Sequence, residues 1–141
     1  EDRRREIERL EAQRRISVVA FALGLHDQAR ELAAMTQRTI EKTGERYSLP
    51  ALERLNAALA NEDGNGAAAE QHLLTALDVA RQQGSKLYEL RAAIDLTELW
   101  RDQGKNAQAI ALLQPVHDSI VEGNCPEDRA KARALLAQLA G

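Results

Sequence analysis

Gly104-Lys105-Asn106-Ala107-Gln108-Ala109 is the third occurrence of one short phrase. Gly64-Asn65-Gly66-Ala67-Ala68-Ala69 stands forty residues before it, and Gly24-Leu25-His26-Asp27-Gln28-Ala29 forty before that. Each phrase sets an alanine five residues after a glycine. Gly44 and Gly84 form a second series offset by twenty, and Gly123 falls one residue short of continuing it. A fixed period in this range marks a stacked-repeat architecture. Each glycine tolerates the left-handed conformation that ends a helix, so each marks a helix stop.

The stops divide the chain into helical segments at about 2–23, 26–43, 47–61, 66–83, 86–103, 106–122 and 126–140. Ser85 and Asn106 are good N-caps, and Pro50 and Pro126 suit first turns. Glu127 and Asp128 favour the positive end of the last helix. Pro115 falls inside its segment and is expected to kink it. Apolar residues keep helical spacing: Ala69, Leu73, Ala76, Leu77 and Ala80; Leu90, Ile94, Leu96, Leu99 and Trp100; Ala109, Leu112, Leu113, Val116 and Ile120. Such stripes need neighbouring helices to cover them. Short connections make successive helices antiparallel. The expected fold is all-α: a single domain over 1–141, a right-handed α-solenoid of three hairpins of about 40 residues plus a C-terminal closing helix. Nothing in the pattern alternates as a strand would.

Composition agrees. The chain has 141 residues, 44% hydrophobic but only 3% aromatic, rich in the alanine and leucine that favour helices. A net charge of −3 gives no field that attracts nucleic acid or an anionic membrane. No apolar run approaches a membrane span, and the first residues lack a signal-peptide core. The lone Cys125 excludes an internal disulfide and fits a reducing, cytoplasmic setting. The start at Glu1 rather than Met suggests a piece of something longer. Eleven of the first fifteen residues are charged, beginning with Glu1, and only Ile7 and Leu10 are large and apolar. This stretch reads as a solvated helix that projects, or that packs against something outside the chain.

The glycine, the alanine five residues on and a third position four later (Ala33, Leu73, Leu113) resemble the centre of the tetratricopeptide repeat. The usual repeat is about 34 residues; here each hairpin is about six longer. Thr36 and Val116 replace the next small residue, kept only as Ala76, and the expected aromatic appears once, as Trp100. The repeats are tetratricopeptide-like rather than standard.

From Glu41 onward a narrower resemblance appears. It is carried by Glu41-Lys42-Thr43-Gly44-Glu45-Arg46-Tyr47, Ala80-Arg81-Gln82-Gln83-Gly84-Ser85-Lys86, Leu90-Arg91-Ala92-Ala93 and Leu99-Trp100-Arg101-Asp102-Gln103-Gly104. Leu112-Leu113-Gln114-Pro115-Val116 and the Glu122-Gly123 turn complete it. The chain resembles the C-terminal end of large bacterial signalling proteins. In those, a class III nucleotide cyclase or a DNA-binding domain precedes a signalling ATPase and a helical-repeat tail. The resemblance implies that Gly141 is at or near a natural C-terminus. It also implies that any cyclase or ATPase activity lies upstream of this chain.

No glycine loop precedes a lysine and a Ser/Thr, so no phosphate cradle is present. His26, His72 and His117 never reach metal-ligand spacing with each other or with Cys125, and they read as solvated side chains. No catalytic residue, metal or cofactor is expected. Trp100 reads as a core anchor under the Gly104 turn, with a binding-surface role as the alternative.

The sharpest expectation concerns the concave face, which the first helix of each hairpin lines. The period puts Arg14, Arg54 and Ile94 at one equivalent position, Glu98 at a second, and Phe21, Asn61 and Arg101 at a third; Arg91 lies one turn before Ile94. Its arginines would suit an acidic or carboxylate-bearing protein or peptide. The plainer alternative pairs them with Glu53, Glu89 or Glu98 on their own helices. Upstream domains of the parent chain are further candidate partners. Exposed repeat ends, with Ile7, Leu10, Ile16, Val19 and Phe21, would allow a homo-oligomer instead.

Overall fold

A computed structural model describes residues 2–141; Glu1, counted in the charged stretch, lies outside the described residues. Seven helices are present among them: α1 (Asp2–Ala22), α2 (His26–Thr43), α3 (Leu49–Glu62), α4 (Gly66–Gln83), α5 (Lys86–Asp102), α6 (Asn106–Asp118) and α7 (Pro126–Ala140). No described residue is in a strand. No helix among them is long and apolar enough to cross a membrane.

The forty-residue period is written into the backbone hydrogen bonds. Leu25 N–H donates to Ala20 O at 2.8 Å, Asn65 to Ala60 at 2.9 Å and Lys105 to Trp100 at 2.8 Å. The glycine N–H of each turn donates to the next carbonyl along, of Phe21, Asn61 and Arg101. This is the Schellman arrangement, which satisfies two otherwise orphaned carbonyls and requires a left-handed residue. Gly24, Gly64 and Gly104 supply it, with φ of 80°, 76° and 76°. The next helix starts at once: Ala29, Ala69 and Ala109 donate back to Leu25, Asn65 and Lys105. All three alanines are buried.

Two local expectations are corrected. Asn106 is not an N-cap; Lys105 holds that place without a side-chain cap, while Ser85 does accept from Tyr88 N–H. Asn65 caps α4 instead, its Oδ1 accepting from Ala68 N–H at 3.1 Å. The sixth helix stops at Asp118, not at residue 122. Pro115 removes one helical bond, and Ser119 N–H then turns to the Pro115 and Val116 carbonyls, closing the end within one turn.

The described chain forms two compact units, one ending at His72 and the other beginning at Leu73, a division inside α4. In the first, Leu10 and Ala20 of α1 share a core with Ala29, Ala33 and Ile40 of α2 and Leu52, Leu55 and Leu59 of α3. The charged half of α1 therefore does not simply project. Leu10 is wholly buried, and Glu6 accepts from Lys42 of α2 at 3.4 Å. Its outer charges remain in water, where Arg4 and Glu8 form an exposed i,i+4 pair of the kind that contributes little.

In the second unit α5 is the buried centre. Leu90, Ala92, Ala93, Ile94, Leu96 and Thr97 are all inaccessible or nearly so. The helix packs on both α6 and α7, so no single stripe describes it. Burial alone would push the Glu89 carboxyl up. Hydrogen bonds from Arg81 and Lys86, with their charges, outweigh that and hold it below the ordinary glutamate value.

Candidate functional site

Within the first unit α2 and α3 face each other through two stripes of identical spacing. On α2 these are Arg30, Ala33, Ala34 and Gln37; on α3 and its C-cap they are Asn56, Leu59, Ala60 and Asp63. Each runs i, i+3, i+4, i+7, the positions that share one helix face. Between them, with His72 of α4, lies an open cleft of about 380 Å³. Seven residues of helix rise make the trough about 10 Å long. Its waist is apolar and shallow, because alanine side chains at 33, 34 and 60 leave the space that longer ones would occupy. Its ends are polar.

At one end Arg30 Nη2 donates to Asp63, while Nη1 reaches Asp27 at 3.2 Å. At the other end stand the carboxamides of Gln37 and Asn56. Asn56 Nδ2 donates to Glu53 Oε1 at 3.1 Å, and His72 Nδ1 meets Glu53 Oε2 at 3.1 Å. Glu53 is nearly buried. The Glu53 carboxylate accepts, so Nδ1 of His72 is the donor of that contact. Asn56 keeps one amide hydrogen and Oδ1 for other partners. The lining offers amide donors and acceptors, an ion pair and a small apolar floor. It includes no Ser, Thr or Cys nucleophile beside the histidine.

The residues expected on the concave face are dispersed. Ile94 is 2% exposed and belongs to the core, because α5 has neighbours on more than one side. Arg91, Glu98 and Arg101 bridge α5 to α7. Arg91 pairs with Asp128 at 3.3 Å, Glu98 with Lys131 at 3.7 Å, and Arg101 Nη1 donates to Gln138 at 3.2 Å. These three partners lie on α7, whereas the plainer sequence reading looked for partners on the same helix. Arg101 also holds its neighbour Asp102. Phe21 is half-buried and stacks on His26, ring centroids 4.9 Å apart. Arg14 and Arg54 are half-buried and Asn61 is exposed, and none of the three lines the α2–α3 cleft.

The histidines are more engaged than expected: His26 is stacked, His72 is bonded to Glu53, and His117 Nδ1 meets Asp118 at 3.0 Å. That bond, with one from Gln114, holds the Asp118 carboxyl below its usual value. Trp100 is buried, a core anchor.

Sequence reasoning missed the cleft, although a signal existed. Advance its lining by one period and six of its small or polar residues become large and apolar, while Arg30 and Asp63 become Glu70 and Gln103. Ala33, Ala34 and Gln37 correspond to Leu73, Leu74 and Leu77; Asn56, Ala60 and His72 correspond to Leu96, Trp100 and Leu112. Leu73, Leu77, Leu96 and Trp100 are all buried. Comparison of the chain with protein-family models, curated proteins and solved structures finds no match.

Proposed function

We propose that the chain is a non-catalytic interaction module, a tetratricopeptide-like right-handed solenoid that presents a groove to a protein or peptide partner in the cytoplasm. In this reading it is the C-terminal piece of a bacterial signalling ATPase, cyclase or transcription regulator. Binding in the groove biases the upstream domains through different affinity for two of their arrangements. The α2–α3 cleft carries the reading. It is concave, it is built on rigid helices, and it is lined by amide and charged groups rather than by a nucleophile and its base. Deleting residues 41–141 from the parent protein is the test. The expected outcome is altered activity of the preceding domains; unchanged activity would sink the reading.

A second reading, self-association, draws on α1. Ile16 and Val19, on one face of α1, are each 56% exposed, and Leu23 in the turn that follows is 70% exposed. Leu10, also expected at such an edge, is in the core instead. Light scattering over a concentration series distinguishes the readings: a strict monomer rules out association through this face.

A further inference from the structure

Resting on the interaction-module reading, we infer that the α2–α3 cleft takes a short extended peptide segment bearing a basic side chain. Charge decides the sign. One guanidinium, Arg30, stands among four carboxylates: Asp27 and Asp63, which share it, and Glu53 and Glu41, which accept from Asn56 and Gln37 at the opposite end. The excess is negative, so the complementary occupant is cationic. This reverses the acidic partner that the arginine positions on α1, α3 and α5 suggest from sequence.

Shape decides the backbone. A trough about 10 Å long holds about three residues of extended chain. Its alanine waist admits main chain but not a helix with its side chains. Gln37 donates one amide hydrogen to Glu41 and Asn56 one to Glu53, so each carboxamide keeps a second hydrogen and its oxygen, the complement of a peptide C=O and N–H. The basic side chain then extends toward Asp63, 57% exposed and joined to a guanidinium that Asp27 also satisfies. An ammonium there gains a carboxylate without leaving Arg30 unpaired.

The non-repeating residues make the same point. Positions whose counterparts one period on are Leu73, Leu74, Leu96 and Trp100 are kept small or polar here. An open trough buries less apolar surface than a filled one, so this pattern does not serve stability.

The test is a titration of the full chain, followed by amide NMR shifts. The probes are acetylated, amidated Ala-Ala-Lys-Ala-Ala and its Glu and Gln counterparts. The lysine peptide is expected to shift the amides of Ala33, Ala34, Asn56, Ala60 and Asp63, and to bind at least about tenfold more tightly than the glutamate peptide. Asp63→Asn is expected to weaken it about tenfold and to erase most of the discrimination. Ala34→Leu, which installs the residue found at position 74, is expected to abolish binding with helical circular dichroism unchanged. Equal binding of the lysine and glutamate peptides overturns the inference, as does an unaltered affinity in Asp63→Asn. Shifts confined to α1 or α5 overturn it too, while leaving the interaction-module reading in place. No shift with any peptide overturns the inference alone, because the module reading is decided separately by the deletion of residues 41–141.

Discussion

The α2–α3 face of the first unit and the α5 surroundings of the second use the same glycine–alanine turns and end differently. Around α5 the space is filled: Leu96 and Trp100 are buried, and Arg91, Glu98 and Arg101 are tied across to α7. Between α2 and α3 the waist is alanine, and the polar groups at its ends leave a trough. Their buried carboxylates differ in kind too. Glu89 is gripped by two cations, Arg81 and Lys86, whereas Glu53 is held by the Asn56 amide and the His72 ring. The space is filled in one unit and left open in the other.

The largest expected effect breaks this contrast from the filled side. Trp100→Ala reproduces at position 100 what the chain has at Ala60. Because Trp100 is nearly inaccessible, the change should cost about 3–5 kcal/mol of unfolding free energy, read by denaturant titration. A loss under about 1 kcal/mol would mean that the filled packing carries little of the fold.

Next comes Glu89→Gln, expected to cost about 1–2 kcal/mol at neutral pH, since its charged hydrogen bonds end on half-exposed cations. The pH dependence has a definite sign. The folded-state value lies below the ordinary 4.5, so the stabilisation is present above that and is lost as pH falls through the lowered folded value. The wild type should therefore lose stability on acidification more steeply than Glu89→Gln, followed by thermal melts from neutral pH downward. Parallel slopes would show that the cluster adds nothing specific.

The smallest effect comes from the open side. Ala34 lines the rim of the cleft and is exposed, so Ala34→Leu should change stability by no more than about 0.5 kcal/mol. A gain of several kcal/mol would mean that the trough is a packing defect rather than a kept opening.

Helix ends were the most legible feature, because a glycine that stops a helix acts through its own φ and a hydrogen bond five residues back. The apolar stripes were legible where a helix has one covered side. In α4, Ala69, Leu73, Ala76, Leu77 and Ala80 are all buried as their spacing predicts. On α5 the stripe held, with Leu90, Ile94, Leu96 and Trp100 all buried, and it was the projection of Ile94 onto an open groove that failed. On α1 the charges around Leu10 hid a core position. Both failures have one cause: periodicity reports the apolar side of a helix, not how many neighbours surround it.

What the amino-acid order determined alone is local and short in range. It includes an all-helical chain, the positions of its stops, the left-handed glycines and the close alanine after each. These follow from backbone sterics and i-to-i+5 hydrogen bonds, which need no distant partner. The tertiary structure alone decided which stripe meets which. It set Asp63 against Arg30 across thirty-three residues, His72 against Glu53 across nineteen, and Arg91 against Asp128 across thirty-seven. A charge takes its meaning from what it meets. The arginines singled out on α5 are bridges, while residues given no binding role from sequence, Asn56, Ala60 and Asp63, line the cleft.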